Sequence, residues 1–165
     1  QVFDSRASER FVSESAGASS TRRLDGTGVL QVCIGATVGK VGVTTGPALF
    51  NQQINAVFGL SVTDARVLAA SMASPQFQTE IKRAAGSSTM PLISKGSWGE
   101  MEVRLPDEDS RTQWASMLEG ADAAATAHAK SIADLRALRS NLLTALLSGE
   151  HEIPATYDEL MVGEA

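Results

Sequence analysis

The chain of 165 residues has one cysteine, two histidines and few aromatic side chains, which make up 5% of the sequence. The single cysteine, Cys33, excludes an internal disulfide, and its apolar neighbours predict a small buried side chain in a reducing cytoplasm. A hydrophobic content of 43% is enough for a folded core, but with so few aromatics that core must be aliphatic. The sequence also has no long apolar run and no basic stretch followed by an apolar one. We therefore predict no membrane span, no membrane partner and no secretory signal.

Histidine is equally scarce, and neither copy stands in a catalytic pattern. No two histidine, cysteine or acidic residues recur at a reliable metal spacing, and no strand–turn serine motif accompanies the Ser, His and Asp residues. His128 falls in an alanine-rich segment. It can serve as a ligand, but the pattern favours a polar position that fixes helix register. We predict no enzyme, no metal site and no cofactor.

Charge is distributed unevenly along the chain. Residues 1–105 carry ten Lys or Arg and eight Asp or Glu, whereas residues 106–165 carry four and eleven. The net charge of −5 therefore averages a weakly basic part and a strongly acidic one. Such asymmetry indicates different partners for the two parts. The first residue is Gln1 rather than Met, and we expect the chain to be a fragment or to lack its natural N-terminus.

The first 105 residues alternate short apolar runs with turn residues, which predicts a small mixed domain. A turn at 25–28, a buried strand at 29–34 and a strand–turn–strand unit across 35–43 come first. We then expect a helix at 64–73 capped by Thr63 and a helix at 76–85 ended by Gly86. A loop at 94–98 and a strand at 100–105 should follow, and Phe11-Val12 is expected to form a short strand or the end of one. Four amides between 51 and 55 can read base edges or bond within the sheet. Their composition favours the structural role.

The glycine-rich run at 35–43 invites comparison with a phosphate-binding P-loop, but the match fails. A P-loop has four residues between its glycines and Ser or Thr after its lysine. Here three residues separate Gly35 from Gly39, and Val41 follows Lys40. We reject nucleotide hydrolysis and interpret the glycines as sites of close backbone approach.

Residues 109–147 have the apolar repeat of a coiled coil. Steps of four and three, beginning at a tryptophan, select ten positions of which eight are apolar: Trp114, Leu118, Ala121, Ala125, His128, Ile132, Leu135, Arg139, Leu142 and Leu146. A helix over this segment is about 60 Å long. These ten positions form the seam of the helix, and the seam requires a partner along its length.

The helix boundaries follow from local signals. Ser110 and Gln113 have the spacing of a capping box, Gly120 is a weak point, and Gly149 is expected to end the helix. The predicted fold is α+β: a small mixed, mostly β domain at 1–105 with short helices, one long C-terminal coiled-coil helix at 106–149, and an acidic tail at 150–165.

Several segments follow one another along the chain in a recognisable order. The first two read LDGTGVL at 24–30 and VCIGATVGKVGV at 32–43. NQQINAV follows at 51–57 and SSTMPLISK at 87–95. The last is VRLP at 103–106 with Gln113, which runs into IADLRALRSNLLTALLSG at 132–149. Together these segments resemble the DNA specificity subunit of type I restriction-modification systems, and the resemblance covers roughly residues 10–150.

The resemblance implies a non-catalytic protein in which each target recognition domain binds half of a split double-stranded DNA site. It also implies that a long helix follows each domain and pairs antiparallel with the other as a spacer. The paired helices dock the methyltransferase (modification) subunits. The family's Pro-Pro and Glu-Gln at the helix start are here Pro106-Asp107 and Thr112-Gln113. Only one domain and one helix are present, so the partner is a second recognition half or a second copy.

On this basis the basic part should contact phosphates, and polar side chains should read bases. The candidate cations are Arg22, Arg23, Lys40, Lys82, Arg83 and Lys95. The candidate base readers are Asn51, Gln52, Gln53, Ser87, Ser88 and Thr89. The alternative is an assembly module that dimerises through the helix and never touches DNA.

Overall fold

The computed structural model describes residues 2–4, 11–18, 20 and 22–149. Its strands are β1 Val2–Asp4, β2 Arg23–Asp25, β3 Gly28–Val32, β4 Val41–Thr44, β5 Pro47–Leu49 and β6 Ile54–Phe58. Its helices are α1 Glu14–Ala18, α2 Val62–Met72, α3 Pro75–Ala85, α4 Lys95–Gly99 and α5 Glu108–Ser148. By its contacts the chain forms two compact units, Gln1–Glu119 and Gly120–Ala165, so the division falls inside α5.

Two small sheets form in the first unit. The larger has the order β1-β4-β3-β6, with β1 parallel to β4 and the other pairs antiparallel. The smaller pairs β2 with β5 in antiparallel register. The α+β class predicted from the sequence is confirmed. The domain is not mostly β, however, because the described helices hold more residues than the described strands.

The core lies between the larger sheet and helices α2 and α3. Val29 and Val41 from the sheet pack with Ala69 and Met72 of α2 and with Ile81 of α3. These side chains are aliphatic or sulfur-containing, but the core is not purely aliphatic as predicted, because Phe77 is buried in it and Trp98 packs against it. Cys33 is 3% exposed, so its predicted burial is confirmed, and that burial raises the pKa of its thiol.

Helices α2 and α3 begin at serine caps. The Ser61 hydroxyl accepts a hydrogen bond from the Asp64 N–H at 3.0 Å, so Ser61, and not the predicted Thr63, caps α2. Ser74 caps α3 from just before Pro75, which occupies the first helical turn. Gly86, with φ +78°, ends α3 as predicted.

Three local predictions were wrong. Residues 94–98 are not a loop, because Ser94 caps the short helix α4 by accepting from the Ser97 N–H at 3.0 Å. Residues 100–105 form no strand, although Met101 and Val103 do pack on the core. The apolar and polar residues alternate there because alternate side chains are half-buried, but no described strand lies beside them to form backbone hydrogen bonds. Phe11 and Val12 also lie outside any strand, and both are exposed.

Helix α5 begins at Glu108, two residues after Pro106, and contains Gly120 without interruption. The predicted capping box at Ser110 is wrong. Asp107 supplies the cap, because its carboxylate accepts hydrogen bonds from the Ser110 N–H at 3.0 Å and the Ser110 hydroxyl at 2.9 Å. Gly149, with φ +76°, follows the helix as predicted. The predicted acidic tail at 150–165 lies outside the described residues.

The first three turns of α5 belong to the first unit and contact α2. The Arg111 guanidinium lies 3.1 Å from the Asp64 carboxylate, and Arg66 lies 3.4 Å from Glu119. Ala115 is buried. Ion pairs at this exposure contribute little individually, so the burial of Ala115 adds to the attachment what these pairs do not supply.

In the second unit, the described residues 120–149 are all exposed except Ala145 and Leu146, which are half-buried. This segment is helical up to Ser148 and includes four turns rich in leucine. Helices in proteins gain most of their stability from packing of an apolar face against a neighbour. The unit therefore carries an apolar surface with no partner among the described residues.

Candidate nucleic-acid interface

The turn at 35–39 connects β3 to β4 and depends on two glycines. Gly35 and Gly39 have φ of +83° and +93°, which other residues rarely adopt. The Gly39 N–H donates to the Val32 carbonyl at 2.9 Å, and the Val38 N–H donates to the Gly35 carbonyl at 3.0 Å. The glycines thus shape a tight turn. The predicted close approach is confirmed at Gly39, where a Cβ would lie 2.5 Å from the Gln78 Oε1, but not at Gly35, where a Cβ would have no atom within 4 Å.

A network of side-chain amides holds this turn against the helices. The Gln78 amide nitrogen donates to the carbonyls of Gly39 at 2.7 Å and Met72 at 2.8 Å. Gln31, which is fully buried, donates to the same Gly39 carbonyl at 3.2 Å and accepts from the Trp98 indole N–H at 2.6 Å. Buried polar groups are costly unless paired, so this network fixes β3, the turn, α3 and α4 together.

Beside the turn lies a recess of about 410 Å³. The turn itself, the end of α2 and one side of α3 form its wall. It is lined by Ala36, Thr37, Val38, Gly39, Lys40, Val41, Ala73, Gln78 and Lys82. Two candidate cations that are 42 positions apart in sequence, Lys40 and Lys82, are therefore brought to one place.

Backbone hydrogen bonds draw two other candidate segments to the same end of β3. The Cys33 N–H donates to the Gln53 carbonyl at 2.7 Å, and the Ile93 N–H donates to the Cys33 carbonyl at 3.0 Å. The Gly35 N–H donates to the Pro91 carbonyl at 2.8 Å. The amide-rich turn at 51–53 and the segment that contains Ser87, Ser88, Thr89 and Lys95 thus flank residues 33–35.

The amides of the 51–53 turn differ in what they do. The Asn51 side-chain oxygen accepts from the Gln53 N–H at 2.9 Å, which is an Asx turn that stabilises the local backbone. This is the structural role that composition favours. Gln52 and Gln53 lie in the turn with exposed side chains, and they are the amides of this group with room to reach a ligand.

The two N-terminal candidates, Arg22 and Arg23, lie beside that turn. The Phe50 N–H donates to the Arg22 carbonyl at 3.2 Å, and Arg23 stands opposite Leu49 in the β2–β5 register. Arg23 forms an ion pair with Asp25. That carboxylate offsets part of the charge of Arg23, and Arg22 is the stronger candidate for a phosphate contact.

The remaining candidates lie in the last turn of α3 or after it. Lys82 and Arg83 lie in its last turn, where they also complement the helix dipole. Arg83, Ser87, Ser88, Thr89 and Lys95 are all exposed. Lys95 is the first residue of α4.

The helix-pairing candidates lie on the surface of α5. Trp114, Ile132, Leu135 and Leu142 are each at least 50% exposed. Ala121, Ala125, His128 and Arg139 are exposed, whereas Leu118 and Leu146 are half-buried. Leu138 and Leu143, which flank the seam, are also exposed.

Other chemistry has little support in the described part of the chain. Its His, Cys, Asp and Glu side chains form no group of three that could hold a metal ion. None of the helices among the described residues has the length and apolarity that crossing a membrane requires. A smaller recess of about 250 Å³ carries Glu80, Glu102 and Arg104, whose mixed charges define no obvious ligand.

Sequence reasoning missed the residues that assemble the turn. Gln31 lies at an inward position of an apolar strand, and a polar residue there was a signal that buried hydrogen-bond partners exist. Gln78 and Trp98 gave no such signal, because their partners are set by the tertiary fold.

Comparison of the sequence with protein-family models and with curated proteins gave no significant match. The resemblance to type I specificity subunits therefore depends on the order of the motif segments and the long helix after them.

Proposed function

We propose that this protein recognises a DNA sequence as one half of a type I restriction-modification specificity subunit. In this proposal the first unit binds half of a split site in the cytoplasm. Helix α5 pairs antiparallel with a second half or a second copy and docks methyltransferase subunits. The observation that carries the proposal is the order of the motif segments, which ends in a 41-residue helix.

The arrangement of polar residues supports the DNA part of the proposal. Two segments far apart in sequence, at 51–53 and 87–95, bond through the backbone to residues 33–35, and the Arg22 carbonyl accepts from the Phe50 N–H beside the first of them. Cations among them can contact phosphates, which position a protein on DNA. Exposed amides and hydroxyls among them can reach base edges, where Asn and Gln pair with adenine.

The surface of α5 supports the pairing part. Apolar side chains at the seam positions are exposed, and Leu135, for example, is 64% exposed. A contiguous apolar stripe on a helix marks an interaction surface. The repeat of 3.5 residues is typical of packing against another long helix.

Binding to a pool of random duplexes, measured by fluorescence anisotropy with sequencing of the bound fraction, tests the proposal. We expect enrichment of a split sequence and an affinity that falls steeply with salt. The logarithm of the affinity should change by about 0.9 per phosphate contact for each tenfold change in salt. The triple variant Arg22→Gln, Arg83→Gln, Lys95→Gln should therefore show a shallower slope.

Lys130→Gln is the control for loss of a cation outside the candidate interface. It removes one positive charge, compared with three in the triple variant, and Lys130 lies on α5, where it pairs with Asp134 at 2.6 Å. Its slope should equal that of the unaltered protein. A pool without enrichment, together with an affinity independent of salt, would contradict DNA recognition.

The second candidate function is an assembly module that dimerises through α5 without binding DNA. The exposed seam together with the net charge of −5 favours it. Sedimentation would then give a dimer whose mass does not change when duplex DNA is added.

A further inference from the structure

A histidine lies at the centre of the apolar stripe that α5 exposes in the second unit. His128 is one of the seam positions and is itself exposed. Ile132 and Leu135, which follow it along the seam, are 50% and 64% exposed. The seam positions before it are the exposed alanines Ala121 and Ala125. The imidazole therefore belongs to an apolar surface that the single chain leaves open to solvent.

The charges beside the seam fit a second copy of the same helix. Asp122 and Arg136 lie two heptads apart on one edge of the stripe, and neither forms an ion pair within the described chain. In an antiparallel pair with a two-fold axis near Lys130, each lies alongside its opposite charge on the second copy. The same axis sets Ala125 against the second copy's Leu135. This part of α5 is thus complementary to itself in charge and in side-chain size.

The same axis places His128 at the middle of the pair. Each His128 then faces the second copy's Ile132, and the two histidines lie about 6 Å apart along the helix axis. A position between apolar side chains disfavours the charged imidazolium, whereas a neutral polar side chain is tolerated in a seam. Two imidazolium groups at this separation also repel each other.

The other charged groups around this histidine do not favour its protonation. The second copy's Arg136 and Arg139 lie about 6 and 10 Å from it along the helix axis, and Asp122 of its own helix lies about 9 Å away. Lys130 and Asp134 are nearer along the axis, but they lie on the outer face of the helix and pair with each other at 2.6 Å. Cations therefore outnumber acids among the groups at the seam and its charged edge.

We propose that His128 makes the pairing of α5 with a second copy sensitive to pH. Histidine side chains take up a proton as pH falls through about 6.5. Each copy must then hold a charge between apolar side chains or separate from the other. The pair binds fewer protons than two separate chains do, so its affinity falls as pH falls. This inference rests on the proposed pairing of α5 and adds to it a means of control.

Sedimentation equilibrium of the full chain at about pH 7.5 and about pH 5.5, at one ionic strength, tests the proposal. We expect the dissociation constant to rise about 10- to 100-fold at the lower pH, from roughly tenfold for each charged histidine. His128→Gln keeps a polar side chain at the same seam position but does not titrate. Its dissociation constant should be nearly the same at both pH values.

His151→Gln is the matched control, because the chain has two histidines and this change removes the other one. It should keep the full pH dependence of the unaltered protein. A pH dependence that survives in His128→Gln would overturn the proposal, since acid unfolding or another group would then be its cause.

The two pH values also separate the switch from the pairing on which it rests. A pair that is equally tight at both values overturns the switch and keeps the pairing. A chain that is monomeric at both values overturns the proposed pairing and the switch with it.

Discussion

Two effects oppose a side chain at Gly39. Its φ is positive, and the Gln78 amide occupies the space that a Cβ would need. A Cβ there would lie 2.5 Å from the Gln78 Oε1 and 3.3 Å from the Ile81 Cγ2. Gln78 cannot turn away without losing its bonds to Gly39 and Met72. We therefore expect Gly39→Ala to lower the free energy of unfolding by about 2–4 kcal/mol, from backbone strain and a lost hydrogen bond together.

Gly35→Ala is the matched comparison for this prediction. Gly35 has φ +83°, but its Cβ position has no atom within 4 Å. It should lose only the strain part, about 1–2 kcal/mol. Denaturant unfolding at one protein concentration measures both variants. Equal losses would show that Gln78 does not hold the turn.

Residue identity predicted some of these features and not others. Both glycines of the turn were expected from their spacing around an apolar strand, and so was the burial of Cys33. The partners of Gln31 were not, because a sequence indicates that a polar residue is buried without showing which carbonyl or indole lies opposite. The sequence predicts Thr63 as the cap of α2, whereas Ser61 supplies it. Ser and Thr are both good N-caps, so backbone geometry decides which of them caps the helix.

Among the elements, the start of α5 makes a prediction about pH. Its cap, Asp107, has a pKa lowered by hydrogen bonds from the Ser110 hydroxyl and N–H. A carboxylate whose pKa is lower in the folded state stabilises the fold above its unfolded pKa of about 3.9, and this stabilisation is lost as pH falls through the folded value. We expect Asp107→Ala to be less stable than the unaltered protein at pH 7, with the difference shrinking below pH of about 4.

Asp109→Ala provides the control at the element scale. It also removes a carboxylate from the start of α5, but no cap bond is lost with it. It should be less destabilising than Asp107→Ala at pH 7. Denaturant unfolding at several pH values measures all three proteins. A gap between Asp107→Ala and the unaltered protein that widens toward low pH would contradict the cap assignment.

Prediction of helices succeeded where the apolar periodicity agreed with the residues that start or end a helix. Helix α3 has Pro75 at its start and Gly86 at its end, and α5 has a sustained apolar repeat with Gly149 after it. It failed at 100–105, where Met101 and Val103 alternate toward the core with no strand beside them. A strand forms only where another strand lies beside it to accept and donate backbone hydrogen bonds. The tertiary fold decides which segments lie side by side.

At the scale of the whole molecule, the proposed antiparallel pairing of α5 has a preferred register. A two-fold axis near Lys130 lets all ten seam positions pair. It sets Ala125 opposite the second copy's Leu135, and Ala121 opposite the second copy's Arg139. Small residues then face large ones. A shift of one heptad in one direction sets His128 opposite Arg139, and a shift in the other leaves Leu142 without a facing seam residue.

The same register gives charge complementarity beside the seam. Asp122 and Arg136 lie on the same edge of the stripe, one on each side of the axis. Antiparallel pairing brings each one alongside its opposite charge on the second copy. Such exposed pairs contribute roughly 0.2–1 kcal/mol each, and the symmetry provides two of them.

We therefore expect Leu135→Glu with Leu142→Glu to abolish pairing. Asp122→Arg alone should weaken it about 3- to 10-fold, because two attractions become repulsions. Adding Arg136→Asp to Asp122→Arg should restore the original affinity, since the charges are exchanged and the register is kept. Sedimentation equilibrium over a range of protein concentrations measures each dissociation constant.

Leu147→Glu is the control for the leucine changes. Leu147 is 87% exposed, but it lies one residue beyond the seam position Leu146 and faces away from the axis of pairing. This variant should dimerise as the unaltered protein does. If the double charge exchange stays as weak as Asp122→Arg alone, the helices pair in another register or parallel. If the two leucine-to-glutamate changes leave the mass in solution unchanged, the seam does not hold two copies together.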